Sequence, residues 1–292
     1  MESLPVVLSV FLMGLLPLAT PPAAQPTTLA ALSLGSPPLM QSQNFPGTAL
    51  ARNISASGVV IMDVQSGQEL FARHADRRRP VGSLTKMMTA VIIAESHTMD
   101  EVVTIPKDGG MVEGEKLPLP PNAHFTVGDL LSAMLISSAN DAAEVLARFH
   151  SGSRGDFVAV MNDRARQLGL RDTAFANPSG LDEAGQWSTA RDMARLAKYA
   201  VRNADIRKRM STSQASIYSK EGQKFVLIHT HSLLKKGSAV IAGKTGTTAA
   251  ARQCLFSLVK EKDREYIVVI LGSRERYIDM RFVLRVLRTL FA

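Results

Sequence analysis

A serine three residues before a lysine puts both side chains on one face of a helix, where an unprotonated amine can take the hydroxyl proton as the oxygen attacks a carbonyl. Three such pairs occur: Ser83-Leu-Thr-Lys86, Ser232-Leu-Leu-Lys235 and Ser257-Leu-Val-Lys260. The pattern alone is weak, and context separates them. Pro80-Val-Gly82 breaks the chain just before Ser83, which opens an apolar-rich run, so its hydroxyl and N–H fall at the positive end of a helix. Ser257 lies inside a strand-like run and Ser232 precedes a Lys-Lys-Gly turn. Two tripeptides follow in order: Ser138-Ala-Asn140, 55 positions after Ser83, and Lys244-Thr-Gly246, another 106 on and present once.

Other reactive residue types carry less. His229 and His231 stand two apart with no third ligand in view, a structural pair rather than a metal site. Cys254 beside Leu255 and Phe256 reads as a small core residue and, being single, excludes an intramolecular disulfide and a cysteine zinc site. Trp187 and Tyr199 read as packing, and Arg77-Arg-Arg79 as a solvated turn, with contact to an anionic polymer as its sharper alternative.

The elements that position these residues follow from pattern. Gly58–Asp63 and Glu69–Arg73 are strands joined by a turn at Gln65-Ser-Gly67. Helical spacing covers Ser83–Glu95, Thr126–Phe149, Asp156–Leu168 and Ser188–Asn203. Phe225–His229, Val240–Lys244, Cys254–Val259 and Tyr266–Leu271 are strands, and Asp279–Phe291 a closing helix whose broad apolar face suits burial better than a membrane surface. Strands, a helical block, strands and a last helix predict an α+β fold with a mostly antiparallel sheet.

The chain has 292 residues, 46% hydrophobic and 21% charged, a globular composition. Its formal charge is +8, but aromatics are only 5% and no basic ribbon occurs, which disfavours nucleic acid. Residues 1–24 contain an apolar stretch from Leu4 to Leu18 too short to span a bilayer, then small residues, as in a signal peptide. The basic n-region is missing, so an uncleaved anchor is the alternative and the one route to membrane contact. Residues 25–51 have no sustained period and no side-chain charge and read as a flexible linker; 52–292 form the catalytic domain.

The three motifs, with SLTKMMTA, TVGDLLSAMLISSANDAAEVLA, ANPSGLDEAGQWSTARDMA and GKTGTT around them, resemble the low-molecular-mass penicillin-binding proteins, the serine D-alanyl-D-alanine carboxypeptidases and related endopeptidases, over about Ile54 to Leu290. The resemblance implies a transpeptidase fold with an all-helical lobe and the site between lobes. It implies Ser83 as nucleophile, Lys86 as general base, Ser138 as a proton relay with Lys244, and Asn140 holding the substrate amide. Lys244 and Thr245 would lie on an edge strand that pairs with the peptide, with Gly246 leaving room for it. The N–H groups of Ser83 and Thr247 would form the oxyanion hole, and Arg276, with Arg274 as competitor, would face the terminal carboxylate.

The activity so implied is hydrolysis of the terminal D-Ala of peptidoglycan stem peptides through an acyl-Ser83 intermediate, without metal or organic cofactor, by an exported protein in the periplasm or on the outer face of the membrane. β-Lactams would be covalent inhibitors. DD-endopeptidase cleavage of cross-links, or a β-lactam- or wall-binding module with little turnover, are the alternatives. No glutamate between Ser138 and Lys244 begins the Glu-x-x-x-Asn pattern of a deacylating loop, so slow release of β-lactams is expected. With 48 residues after Lys244, the C-terminal β-rich domain of many members is not expected. Ser179 stands where many members have His, His229-Thr-His231 where Asn-Thr-Asn is common, and Arg252 where a small residue is usual, which would alter the cleft near Lys244.

Overall fold

The computed structural model describes residues 47–110 and 112–290; the expected signal peptide and most of the expected linker lie outside them. The chain enters through helix α1 (Gly47–Asn53), inside the stretch read as linker. Leu50 is its one buried residue and packs in the same apolar cluster as the last helix, so the folded part starts by Gly47, five residues earlier than expected. Strands β1 (Gly58–Asp63) and β2 (Glu69–Arg73) follow, with Asp63 accepting hydrogen bonds from the Ser66 N–H and hydroxyl in the turn between them. A 3-10 turn, Gly82–Thr85, leads into helix α2 (Lys86–Ser96), and the short strands β3 (Val102–Thr104) and β4 (His124–Thr126) pair with each other.

The predicted helix over Thr126–Phe149 is two helices, α3 (Val127–Ile136) and α4 (Asn140–Ser151). A capping box at Thr126 and Asp129 starts the first. It ends because Ser138 takes a φ of 64°, and the Ala139 N–H turns back to the Ala133 carbonyl. No glycine or proline marks the break, so periodicity runs through it. Helices α5 (Arg154–Gln167), α6 (Ala190–Ala200) and α7 (Ala204–Met210) have Ser153, Thr189 and Asn203 as side-chain N-caps. Strand β5 (Gln214–Tyr218), which sequence reading missed because only Ile217 of it is buried, pairs with β6 (Lys224–Ile228).

Strands β7 (Val240–Thr248), β8 (Arg252–Glu261) and β9 (Arg264–Ser273) complete an antiparallel sheet of order β2-β1-β9-β8-β7, which leaves β7 on an edge. Helix α8 (Arg276–Leu290) closes the chain. The inner strands are apolar on both sides because both faces are covered. Val59, Ile61, Leu255, Val259, Val268 and Ile270 share a core with Met280, Val283 and Leu287 of α8. Their neighbours Val60, Met62, Phe256, Leu258, Ile267 and Val269 belong to the larger core that runs through α2 to α7. This period-2 division is what a sheet sandwiched between two layers requires.

Helix α8 is also pinned at its start. Asp279, 1% exposed, accepts from the Ser55 N–H at 2.8 Å, the Ser55 hydroxyl at 3.0 Å and the Ser273 hydroxyl at 2.6 Å. The helix is thus a structural cover of the sheet, and Leu287, fully buried, is a sensitive probe of it. Leu287→Ala should lower the unfolding free energy by about 2–5 kcal/mol, the usual cost of emptying a leucine site, measured by urea denaturation. An unchanged midpoint would mean that the helix is not packed as described.

Candidate active site

The 3-10 turn that carries Ser83 is wedged between the edge strand and a loop from the helical side. At Gly246, a Cβ would lie 2.7 Å from the Val81 carbonyl oxygen and 3.0 Å from the Ser83 nitrogen. Glycine here admits the nucleophile segment itself, a reason for glycine additional to the room expected for a substrate backbone. At Gly180, with a φ of 89°, a Cβ would come within 2.1 Å of the Gly82 carbonyl oxygen and 3.0 Å of the Ser83 nitrogen. A Cβ on Gly82 would meet the Thr247 nitrogen at 3.1 Å, so the backbone nitrogens of Ser83 and Thr247, the two named for an oxyanion hole, lie close together.

Lys86 begins α2 one turn after Ser83 and is fully buried. Its Nζ donates to the Ser83 Oγ at 2.9 Å, the Asn140 Oδ1 at 2.6 Å and the Ser179 carbonyl oxygen at 2.6 Å. None of these acceptors is charged. Burial, and then the positive charge of Lys244, push the Lys86 pKa well below the usual lysine range. In the neutral amine, two N–H groups satisfy Asn140 and Ser179, and the remaining tetrahedral position, the lone pair, faces the Ser83 hydroxyl. That is the arrangement of a general base and its nucleophile.

Each acceptor has a local cause. Asn140 opens α4 directly after the Ser138 break, and its Nδ2 donates to the Glu113 carbonyl at 2.8 Å. One lone pair and one N–H of its amide are thereby used, on Lys86 and on the Glu113 carbonyl, which fixes the orientation of the side chain. The Ser179 carbonyl belongs to a turn organised by Asn177, whose Oδ1 accepts from the Ser179 N–H and from the Gly180 N–H at 2.6 Å. Thr89, one turn beyond Lys86, donates to the Pro178 carbonyl at 2.7 Å and so ties that turn to α2. Sequence reading marked Ser179 only as a departure; its backbone oxygen does the work, and an Asn-Pro-Ser-Gly turn next to the motif helix was the available signal.

Across the cleft the Lys244 Nζ, also fully buried, donates to the Ser138 Oγ at 2.7 Å and to the Thr245 carbonyl. Burial and then the nearby Arg276 bring its pKa down to about 7. The left-handed backbone of Ser138 is what turns its hydroxyl to that lysine. Thr245 is tied through its hydroxyl to Thr230 at 2.6 Å. Arg276 donates to the Gly246 carbonyl at 2.9 Å and to the Thr247 Oγ1 at 2.7 Å, which selects it over Arg274 as the arginine of the strand end.

The competing residues fall elsewhere. Ser257 is buried in β8 and shares a hydrogen bond with the His231 Nε2 at 2.8 Å. The Ser232 N–H donates to the Tyr277 hydroxyl in a turn. Burial lowers the pKa of His229 to about 4 and of His231 to about 3, keeping both neutral supports of the strand behind Lys244. Burial raises the Cys254 thiol to about 11, so it is a core residue. Arg252 lies opposite Thr248 at the hairpin end, away from the Lys244 position where its effect was expected. Arg77-Arg-Arg79 is not simply solvated: Arg78 pairs with Asp172, and the Arg79 backbone bridges to Ser188.

Comparison with known proteins matches this geometry to a family. A family model described as D-alanyl-D-alanine carboxypeptidase, Peptidase_S11, covers residues 44–275. The chain is 33% identical over 223 residues to the D-alanyl-D-alanine carboxypeptidase DacF of Bacillus subtilis, across 75% of this chain and 57% of that protein. It therefore spans a little over half the length of that relative. A D-alanyl-D-alanine endopeptidase of Haemophilus influenzae is 32% identical over 182 residues, 62% of each chain. Among solved structures, a point mutant of the Streptomyces K15 DD-transpeptidase superposes with a TM-score of 0.75 at 26% identity, covering 80% of this chain and 96% of that one. With three motifs meeting in one cleft and the family model spanning residues 44–275, the chain belongs to the D-alanyl-D-alanine carboxypeptidase family of serine peptidases.

Proposed function

We propose that the protein is an exported serine carboxypeptidase that removes the terminal D-alanine from peptidoglycan stem peptides through an acyl-Ser83 intermediate. The observation that carries the reading is a buried, charge-disfavoured Lys86 amine 2.9 Å from the Ser83 Oγ. The peptide lies along the edge strand β7, with its terminal carboxylate toward Arg276 and Lys244. Lys86 takes the Ser83 proton as the Oγ attacks the penultimate carbonyl, and the Ser83 and Thr247 N–H groups stabilise the oxyanion. The C–N bond then breaks, and the proton held by Lys86 passes through Ser138, which hydrogen-bonds Lys244, to the leaving D-alanine amine, so that Lys86 is neutral again. Water, deprotonated by Lys86, releases the shortened peptide and restores the Ser83 hydroxyl.

Asn140 enters this scheme as the positioning residue of Lys86. Residues 1–24 as a cleaved signal peptide and a periplasmic or outer-face location suit such a substrate. A DD-endopeptidase activity on cross-links is the second reading, favoured by the similarity to the endopeptidase of Haemophilus influenzae; both reactions break a D-alanyl amide. Assay on a D-Ala-D-Ala peptide and on cross-linked dimers separates them, and no turnover of either would favour a binding module.

β-Lactams, strained analogues of the same amide, should acylate Ser83 and leave slowly, because among the described residues no carboxylate hydrogen-bonds the Ser83 Oγ. Peptide mapping should find the penicillin adduct on Ser83, and Ser83→Ala should abolish labelling. A label on Ser232 or Ser257 would refute the assignment.

The pH dependence has two limbs of opposite sign. Acylation needs neutral Lys86 and so rises as pH passes upward through its depressed pKa. It also needs protonated Lys244 opposite the carboxylate and should decline above about pH 7. A kcat/KM profile that lacks the falling limb would remove Lys244 from that role. Lys86→Arg keeps a cation that never becomes a base and should lose ~100-fold or more in acylation rate, at the low end of a general base's contribution.

A further inference from the structure

Arg252, which departs from the small residue usual at its position, is not used by the chemistry above. It opens β8 with a φ of 56°, in the left-handed region that suits glycine and not a long side chain. Its place is fixed by the hairpin: Asp182 accepts from the Thr248 hydroxyl at 2.6 Å and from the Ala250 N–H at 2.9 Å, and the Ala251 N–H donates to the Thr248 Oγ1 at 2.9 Å. Beside it lies an open cavity of about 480 Å³ lined by Thr247, Arg252, Gln253, Ser273 and Arg274.

This cavity adjoins the catalytic strand end directly. Thr247 lines it and accepts a hydrogen bond from Arg276. The Gln253 Oε1 is taken by the Arg276 N–H at 3.1 Å, which leaves the amide NH2 of Gln253 as a donor. Among the described residues, no carboxylate lies within ion-pair distance of the guanidinium groups of Arg252, Arg274 or Arg276, and the cavity lining contains no acidic residue. The field of these arginines reaches their neighbours, since Arg276 lowers the Lys244 pKa and Arg252 contributes to lowering that of Arg79.

We propose that Arg252, Arg274 and the Gln253 amide form a second carboxylate subsite, contiguous with Arg276, which selects peptide substrates bearing a further carboxylate beside the D-alanyl pair. The inference rests on the peptidase reading given above and names the substrate class of that site. A peptide extended along β7 advances roughly 3.3 Å per residue, so a side-chain carboxylate next to the D-alanyl pair falls within reach of the cavity that Thr247 borders. Guanidinium forks and an amide NH2 are the donor set that a planar carboxylate accepts in two-point fashion.

The test compares kcat/KM for two N-acetylated peptides, X-D-Ala-D-Ala with X glutamate or its neutral isostere glutamine, at low ionic strength. The wild-type protein should prefer the glutamate peptide about tenfold, equivalent to ~1.4 kcal/mol. In the double variant Arg252→Gly, Arg274→Gln the preference should fall to within about twofold, while the glutamine peptide and penicillin labelling of Ser83 keep their wild-type rates. Glycine suits the φ of residue 252, so the hairpin survives the change. A wild type that labels at Ser83 and hydrolyses both peptides equally, or a double variant that keeps the preference, overturns the subsite alone. A wild type that neither labels nor hydrolyses overturns the peptidase reading with it.

Discussion

Everything in this structure that bears on chemistry depends on taking one lysine amine out of water without giving it a counter-ion. A buried ammonium costs several kcal/mol unless it is paired, and Lys86 is offered three neutral oxygens instead. Glu144, Asp141 and Glu115 act on it only from beyond hydrogen-bond range and pull weakly toward the charged form. The neutral amine is thus the form that burial without a counter-ion favours. Placing a Lys244 cation on the far side of the cleft adds to the same bias. The unfavourable burial of both lysines must be offset by the two apolar cores, one on each face of the sheet.

That constraint accounts for the architecture of the helical side. Three oxygens must reach one nitrogen, and they come from the 3-10 turn before α2, the first residue of α4 and the turn at 177–180. The break between α3 and α4 is what allows this. A continuous helix would carry the Asn140 side chain round by the normal 100° per residue and leave Ser138 in right-handed conformation. With Ser138 at a φ of 64°, one break aims two side chains at two different lysines, Asn140 at Lys86 and Ser138 at Lys244.

The sheet side is governed by close approach. Strand β7 must stay on the edge to offer its backbone, yet it must also lie against the turn that carries Ser83, and Gly246 permits that contact. From the other side Gly180 presses on the same turn. The nucleophile is held between two glycines on separate segments, each of which excludes a side chain by less than 3 Å. The histidines behind the strand complete the support. His231 reaches Ser257 across the sheet, and burial keeps it neutral, so no additional charge is set against Lys244.

How much of this was legible beforehand follows from the range of the interactions. Pairings within four residues, such as Ser83 with Lys86, are set by helix geometry and can be read from the chain, as can the α+β order, the turn after Asp63 and the two-faced apolar runs of β1 and β9. The break at Ser138 was not legible, because Ile-Ser-Ser-Ala-Asn carries no residue that forbids helix. Strand β5 was hidden because it buries little, and helix α1 because its buried contact, Leu50, is made with residues more than two hundred positions away. The roles of the Ser179 carbonyl, Gly180 and Gly246 depend on which backbones are brought within 3 Å of each other. The sequence by itself determined which residues can react and in what order the elements come. Only the tertiary structure decided that Lys86 loses its water, because desolvation is a property of everything packed around a group and of no local pattern.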